Sequence, residues 1–292
     1  MFNERAILVG RSPSLVGVLS GVDSQSQAMS SPLLLMLNAG LIGRVGPNRL
    51  YVKLARELAV HGVPSLRFDL SGLGDSPPRS DGMPSSTGHV LETRLAMDWL
   101  QTELGQTRFI VGGICSAAAT ALATAQLDSR VKGVFVANPD IDDRRKREWA
   151  QRVADRYYWR GALLDARCWL RLVGGRSNYR SILASVTRIV RRTRDGTDDH
   201  DESPLTISEN CRTLAACGTK ILVLSSRWEH DETLNSLLSV GMKGGFGDAI
   251  QAHVIPGTDH VFTPLKAQRD MLQRVVRWVT QTWPANSCGK AL

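Results

Sequence analysis

The chain carries few of the devices that announce a metal site, a disulfide scaffold or a membrane span. Its 292 residues include five cysteines, Cys115, Cys168, Cys211, Cys217 and Cys288. The number is odd, and no pair forms a CxxC or a Cys/His cluster at zinc spacing, so neither a disulfide framework nor a metal centre is implied. Reduced thiols in a cytoplasmic protein are the expectation. No apolar run reaches the roughly 18 residues of a membrane-spanning helix. The opening "MFNERAILVG" lacks a basic stretch leading into an apolar one, so no secretory signal is expected. Internal repeats are absent, as is the full glycine fingerprint of a dinucleotide site.

What is present is ordinary in amount and uneven in placement. Hydrophobic residues make up 42% and charged residues 22%, as in a globular protein. The net charge of +8 is concentrated between Ile141 and Asp195, where 15 Lys and Arg stand against 6 Asp and Glu. Such a segment suits an acidic carrier, a phosphorylated substrate or a solvated helical face. Its aromatics follow apolar helical faces and it has no nucleic-acid motif, so nucleic acid is not an expected partner.

Strand-like and helix-like segments alternate along the first half. "AILVG" and "LVGVLS" read as two strands of a hairpin. "PLLLMLN", from Pro32 to Asn38, is continuously apolar, as a strand buried on both faces must be. "NRLYVKLARELAVHG" places Leu50, Leu54, Ala55 and Leu58 on one helical face before Gly62. Then come the strand and loop of "PSLRFDLSGLGDS", the helix "GHVLETRLAMDWLQTELG", the strand "RFIVGG", an alanine-rich helix and the strand "VKGVFVANP". From residue 140 the pattern turns wholly helical and ends in the acidic "DGTDDHDESP". It then resumes with the helix "TISENCRTLAACG", the strands "TKILVLSS" and "AIQAHVIPG", and a closing helix. These observations predict an α/β core over 1–139 and 213–292, with a mostly parallel sheet flanked by helices and a helical insertion over 140–212.

The turn "GICSA" follows a buried strand and opens a helix. A turn tight enough to expose one side chain needs small residues two positions to either side, and Gly113 and Ala117 flank Cys115 in that way. If Ser116 stood at the apex instead, the frame would fall on Ile114 and Ala118, which fits poorly. His260 lies far downstream in "VIPGTDHVFTP", and Glu229 and Asp231 lie in "RWEHDE".

With those residues in view, the chain from Ala6 to Trp283 resembles the α/β-hydrolase superfamily. "FDLSGLGDS", Phe68 to Ser76, is similar to the D-x-x-G-x-G-x-S stretch of many members. The elbow resembles G-x-S-x-G but has cysteine for serine and alanine for the last glycine. Dienelactone hydrolases and polyhydroxyalkanoate synthases also carry cysteine elbows. "NAGLIGRVGPNRLYVKLAR", Asn38 to Arg56, is similar to uncharacterised or biosynthetic-cluster bacterial members.

The resemblance implies a catalytic triad of Cys115, His260 and Glu229, with Asp231 as the second choice of acid. Glu229 precedes His260 by 31 residues. It further implies an oxyanion hole from the Ser116 backbone N–H and that of Gly40 or Leu41. Arg44, Asn48 and Arg49 are candidate substrate-binding residues, with the structural alternative that they cap and solvate. The insertion resembles a cap whose Tyr157, Trp159 and Trp169 would line an acyl tunnel and whose arginines would dock an acyl carrier protein or coenzyme A. The expected function is acyl transfer through a thioester on Cys115, as thioesterase, hydrolase or acyltransferase on a small-molecule acyl substrate. No cofactor or metal is expected. The alternatives open at this point are a serine-type or lactone/ester hydrolase and a non-catalytic scaffold serving as a binding module.

Overall fold

The computed structural model describes residues 3–10, 14–22, 31–139, 207–226 and 248–284. Glu229, Asp231, Tyr157, Trp159 and Trp169 lie outside the described residues, as does the basic segment between Ile141 and Asp195. Strands β1 Glu4–Val9, β2 Leu15–Ser20, β3 Leu33–Met36 and β4 Ser65–Phe68 precede β5 Phe109–Ile114, β6 Val131–Ala137, β7 Lys220–Ser226 and β8 Ile250–Ile255. They form one sheet in the order β1-β2-β4-β3-β5-β6-β7-β8. The pairs β1–β2 and β2–β4 are antiparallel, and every later pair is parallel. The helices are α1 Leu50–Val60, α2 Ser85–Leu104, α3 Ala117–Leu127, α4 Ile207–Ala216 and α5 Leu265–Thr282. The mostly parallel α/β architecture expected from the alternating pattern is the one observed.

The unbroken apolarity of the central strands follows from their two covered faces. In β3 and just beyond it, Leu33, Leu35 and Leu37 pack into one core with Met97 and Leu100 of α2, Ala121 and Leu122 of α3, and Leu214 of α4. Leu34 and Met36 point the other way, into a second core with Leu54 and Leu58 of α1 and Met271 and Val275 of α5. Each helix therefore needs only one apolar stripe, while each central strand needs two apolar faces.

Two helix starts differ from the sequence expectation. Asn48 and Arg49 adopt left-handed φ values of 52° and 58°, so they belong to a short turn and α1 begins at Leu50. Helix α2 begins at Ser85, earlier than the glycine-led segment predicted, because the chain after Pro84 is already helical. Its end is where expected. Gly105 takes φ 66° and returns its N–H to the Gln101 carbonyl, a left-handed cap that favours glycine.

The chain divides into two units, Met1–Asp140 with Leu205–Leu292, and Ile141–Pro204. Residue 212 lies within α4, which belongs to the first unit. The division lies before this helix because its Cys211 and Leu214 are buried in the sheet-side core.

The sheet leaves no room at Gly112. A Cβ there would sit 2.0 Å from the backbone oxygen of Phe135 on β6. Main chain cannot step aside as a side chain can, so Gly112→Ala should destabilise the protein by about 1–3 kcal/mol or more. Urea unfolding followed by circular dichroism checks this, and an unchanged midpoint would contradict the close approach.

Candidate active site

The loops that matter leave the carboxyl ends of the parallel strands, where α/β sheets gather functional groups. At the end of β5 the chain turns sharply into α3. Cys115 sits at the apex with φ 61°, a left-handed conformation that costs a non-glycine residue on the order of 1–3 kcal/mol. Its thiol is half-buried and free. Ser116 already has helical angles, φ −59° and ψ −22°. The turn is thus centred on Cys115 and not on Ser116.

The small residues around it are needed for contact. A Cβ on Gly113 would lie 2.6 Å from the Ala117 Cβ, 2.7 Å from the Tyr51 hydroxyl and 2.9 Å from the Leu37 carbonyl oxygen. The small-residue frame expected from the sequence is therefore a packing requirement.

Three hydrogen bonds hold the turn where the regular ladder ends. Leu37 N–H still donates to the Gly112 carbonyl across β3 and β5, at 2.9 Å. One step further on, Ile114 N–H donates to the Tyr51 hydroxyl oxygen at 2.9 Å, so a side chain on α1 replaces the next strand. On the other side, Cys115 N–H donates to the Ala137 carbonyl of β6 at 2.9 Å. Tyr51 is fully buried, and burial pushes its phenol well above the usual range, against the opposing effect of the Ile114 N–H. It stays protonated and serves as a neutral acceptor.

His260 lies five residues beyond the end of β8 and is half-buried. Its loop is tied to the same end of the sheet by Asn138, which directly follows β6. The Asn138 amide donates to the His260 carbonyl at 2.7 Å, and its oxygen accepts the Ser226 N–H at the end of β7 at 2.6 Å. Asn138 N–H in turn donates to the Leu224 carbonyl at 2.8 Å. The cysteine turn and the histidine loop are thus anchored on consecutive residues, Ala137 and Asn138. Asp259 accepts the Thr263 N–H at 2.8 Å and closes the histidine loop on itself.

The loop after β3 carries the other expected residues. Gly40 N–H donates to the Ser116 hydroxyl oxygen at 2.9 Å. The Leu41 side chain is 83% exposed. Arg44 is committed to carboxylates, with its guanidinium 2.5 Å from Asp69 and 2.7 Å from Asp75. The Asn48 amide donates to the Val261 carbonyl at 3.2 Å, joining this loop to the histidine loop. Arg49 is exposed and forms no ion pair among the described residues. Of these three polar candidates, Arg44 and Asn48 have partners within the protein, and Arg49 has no ion-pair partner among the described residues.

Asp69 organises that loop. It is fully buried and accepts from the Asn38 amide (3.1 Å), the Arg44 N–H (2.5 Å) and the Asp75 N–H (3.1 Å), besides the Arg44 guanidinium. Gly74 has φ 51°, and a Cβ there would collide with the Asp69 carboxylate. Gly74 of "FDLSGLGDS" thus lets the chain wrap closely around a buried carboxylate. Tyr51 and Asn138 were not singled out from the sequence. A tyrosine on the apolar face of α1 was the available signal, since a buried hydroxyl needs a partner. Among the described residues no group of His, Cys, Asp and Glu could hold a metal, and no helix is long and apolar enough to cross a membrane.

Known proteins of this architecture match the chain. The family model for the alpha/beta hydrolase fold matches residues 32–166. No curated protein matches it significantly. Among solved structures, an esterase of Pyrococcus furiosus aligns with a TM-score of 0.57 and 14% identity, over 97% of this chain and 91% of its own. An α/β serine hydrolase without a lid from Xanthomonas campestris aligns at 0.55 and 12%, over 97% and 96%. A proline iminopeptidase of Mycobacterium smegmatis aligns at 0.53 and 18%, over 95% and 98%.

Replacing Tyr51 by Phe would strand the buried Ile114 N–H. The expected loss is about 1–3 kcal/mol, read by denaturant unfolding. The iodoacetamide reactivity of Cys115 should change with it, and a variant unaltered in both would remove Tyr51 from the support of the turn. Sheet order, the turn at Cys115 and these alignments together identify the chain's fold as that of the α/β-hydrolases.

Proposed function

We propose that the protein is an acyl-transfer enzyme in which Cys115 is the nucleophile, His260 its base and Glu229 the acid that orients the imidazole, with Asp231 the second choice. The observation that carries this reading is the half-exposed Cys115 thiol on a left-handed strand-to-helix turn, framed by Gly113 and Ala117. A non-glycine residue persists at such an angle only where the surroundings over-determine it, and such sites cluster where chemistry is done. That the alignable structures include proteins named esterase, serine hydrolase and iminopeptidase favours cleavage of an acyl bond.

The steps follow from the groups. His260 takes the thiol proton, and the sulfur attacks the carbonyl carbon of an ester or thioester. Charge develops on the carbonyl oxygen and is met by the backbone N–H of Ser116 and of Leu41 or Gly40. Collapse expels the alcohol or thiol, which leaves with the proton held by His260, and an acyl thioester remains on Cys115. An acceptor then attacks that carbonyl, gives its proton to His260, and the carbon–sulfur bond breaks as the thiol is restored. Water as acceptor gives hydrolysis. A thioester is more open to amines than an oxyester is, so a sulfur nucleophile favours transfer to an amine when one is bound.

The basic segment from Ile141 to Asp195 supports a donor tethered to an acidic carrier or to coenzyme A. Acylation by such a donor should slow with added salt and with charge reversal at Arg144, Arg145 and Arg147. A rate indifferent to both would remove the tethered donor from the proposal.

The direct test is the intact mass of the protein after exposure to a panel of acyl thioesters. An acyl adduct mapped to Cys115, lost in Cys115→Ala and strongly slowed in His260→Ala, is the expected result. An adduct on Ser116, or none with any donor, would overturn the thiol mechanism.

A further inference from the structure

Ser116 stands at the first turn of α3, a place where serine ordinarily caps its own helix. An N-cap serine takes extended angles and accepts an N–H two or three residues on, which contributes about 1 kcal/mol. Ser116 does neither. Its backbone is already helical and its side chain makes no capping bond. The hydroxyl oxygen instead accepts the N–H of Gly40, 76 residues earlier, at 2.9 Å.

That bond bears on which amides remain available around the thiol. Gly40 N–H is taken by Ser116, and Ile42 N–H donates to the Ala39 carbonyl at 3.1 Å. The Leu41 N–H, between them, finds no acceptor among the described residues. Packing does little to fix this part of the loop. A Cβ on Gly40 would meet no heavy atom within 4 Å, and Leu41 is 83% exposed. Below it, Asn38 and Asp69 hold the loop firmly through buried hydrogen bonds. Among the described residues, the Ser116 hydroxyl is therefore the hydrogen-bonded tie between the loop's tip and the cysteine turn.

Resting on the acyl-transfer reading above, we infer that Ser116 is a positioning residue whose hydroxyl clamps Gly40 so that the Leu41 N–H, and not that of Gly40, joins the Ser116 N–H in receiving the oxyanion. Serine at this position gives up helix capping and gains control of the second donor. The sequence left Gly40 and Leu41 as equal alternatives. The clamp separates them, because a donor already satisfied at 2.9 Å has no hydrogen to offer.

The test compares two reactions of the same thiol. Turnover of phenyl thioacetate passes through an oxyanion, whereas alkylation by iodoacetamide displaces iodide from a saturated carbon and needs none. Removing an oxyanion donor outright typically costs about 100- to 1000-fold, so misplacing one in Ser116→Ala should lower kcat by about 10- to 100-fold. KM and the alkylation rate of Cys115 should stay within about twofold of the parent protein, and Ser116→Thr, which keeps the hydroxyl, should restore most of kcat. An unchanged kcat in Ser116→Ala would overturn the clamp, as would a parallel fall of turnover and alkylation, which marks general damage to the turn. Cys115→Ala, run alongside, tests the underlying reading separately. If it still becomes acylated, the thiol mechanism fails irrespective of the Ser116 result.

Discussion

The candidate site depends on where the ladder between β3 and β5 stops. Up to the Leu37–Gly112 bond, neighbouring strands satisfy one another. Beyond it β5 continues to Ile114 while β3 has already turned away, and a buried backbone N–H without a partner would cost about 1–3 kcal/mol. Tyr51 supplies the missing acceptor from a helix rather than a strand. The chain after Ile114 is then free to leave the sheet abruptly, and the left-handed angle of Cys115 follows from that departure. Gly113 is the geometric condition for it, because the hydroxyl, the Leu37 carbonyl and Ala117 all crowd the space a side chain would occupy.

A second constraint is electrostatic. Removing a carboxylate such as Asp69 from water costs several kcal/mol unless its lone pairs are filled. Asp69 fills them with two backbone N–H groups, the Asn38 amide and the Arg44 guanidinium. The same contacts fix the loop after β3 from beneath, leaving only its tip, Gly40 and Leu41, to be set by Ser116. Arg44 is partly exposed while its partner is not, which suits a charge that neutralises a buried carboxylate at the protein's edge. A loop held this way can present N–H groups in fixed positions before any ligand arrives, and preorganised donors are what stabilise a developing oxyanion.

The sequence discloses those parts of the structure that repeat with a period or occupy a tight turn. Continuous apolarity marked "PLLLMLN" as doubly buried, and Leu34 and Leu35 do point into opposite cores. The spacing of Gly113, Cys115 and Ala117 located the sharp turn because steric exclusion is local. Longer-range polar contacts leave no such trace. Nothing in the neighbourhood of Asn138 says that its amide will reach a carbonyl 122 residues away, nor does Tyr51 announce a bond 63 residues on. Arg44 and Asn48 have internal partners that are hidden for the same reason. Their charge and polarity are visible in one dimension, but the Asp69 carboxylate and the Val261 carbonyl that engage them are brought near only by the fold. The early start assigned to α1 failed locally: asparagine tolerates left-handed angles, and Asn48 with Arg49 uses them to turn the chain.

Most of the bonds that assemble the site run between a side chain and main chain, which separates holding from reacting. Tyr51, Asn138, Asn48 and Ser116 each grip a backbone atom far away in the sequence. A side chain that grips main chain fixes a loop's path without specifying the side chain at the gripped residue. His260 is held through its carbonyl and Cys115 through its N–H, so neither bond draws on the imidazole or the thiol. The loops can therefore be placed by interactions that survive changes at the chemical groups themselves. Two consecutive residues, Ala137 and Asn138, anchor both loops, and any shift at the end of β6 must move them together. Their separation is set by the backbone at the end of a central strand, paired on both sides.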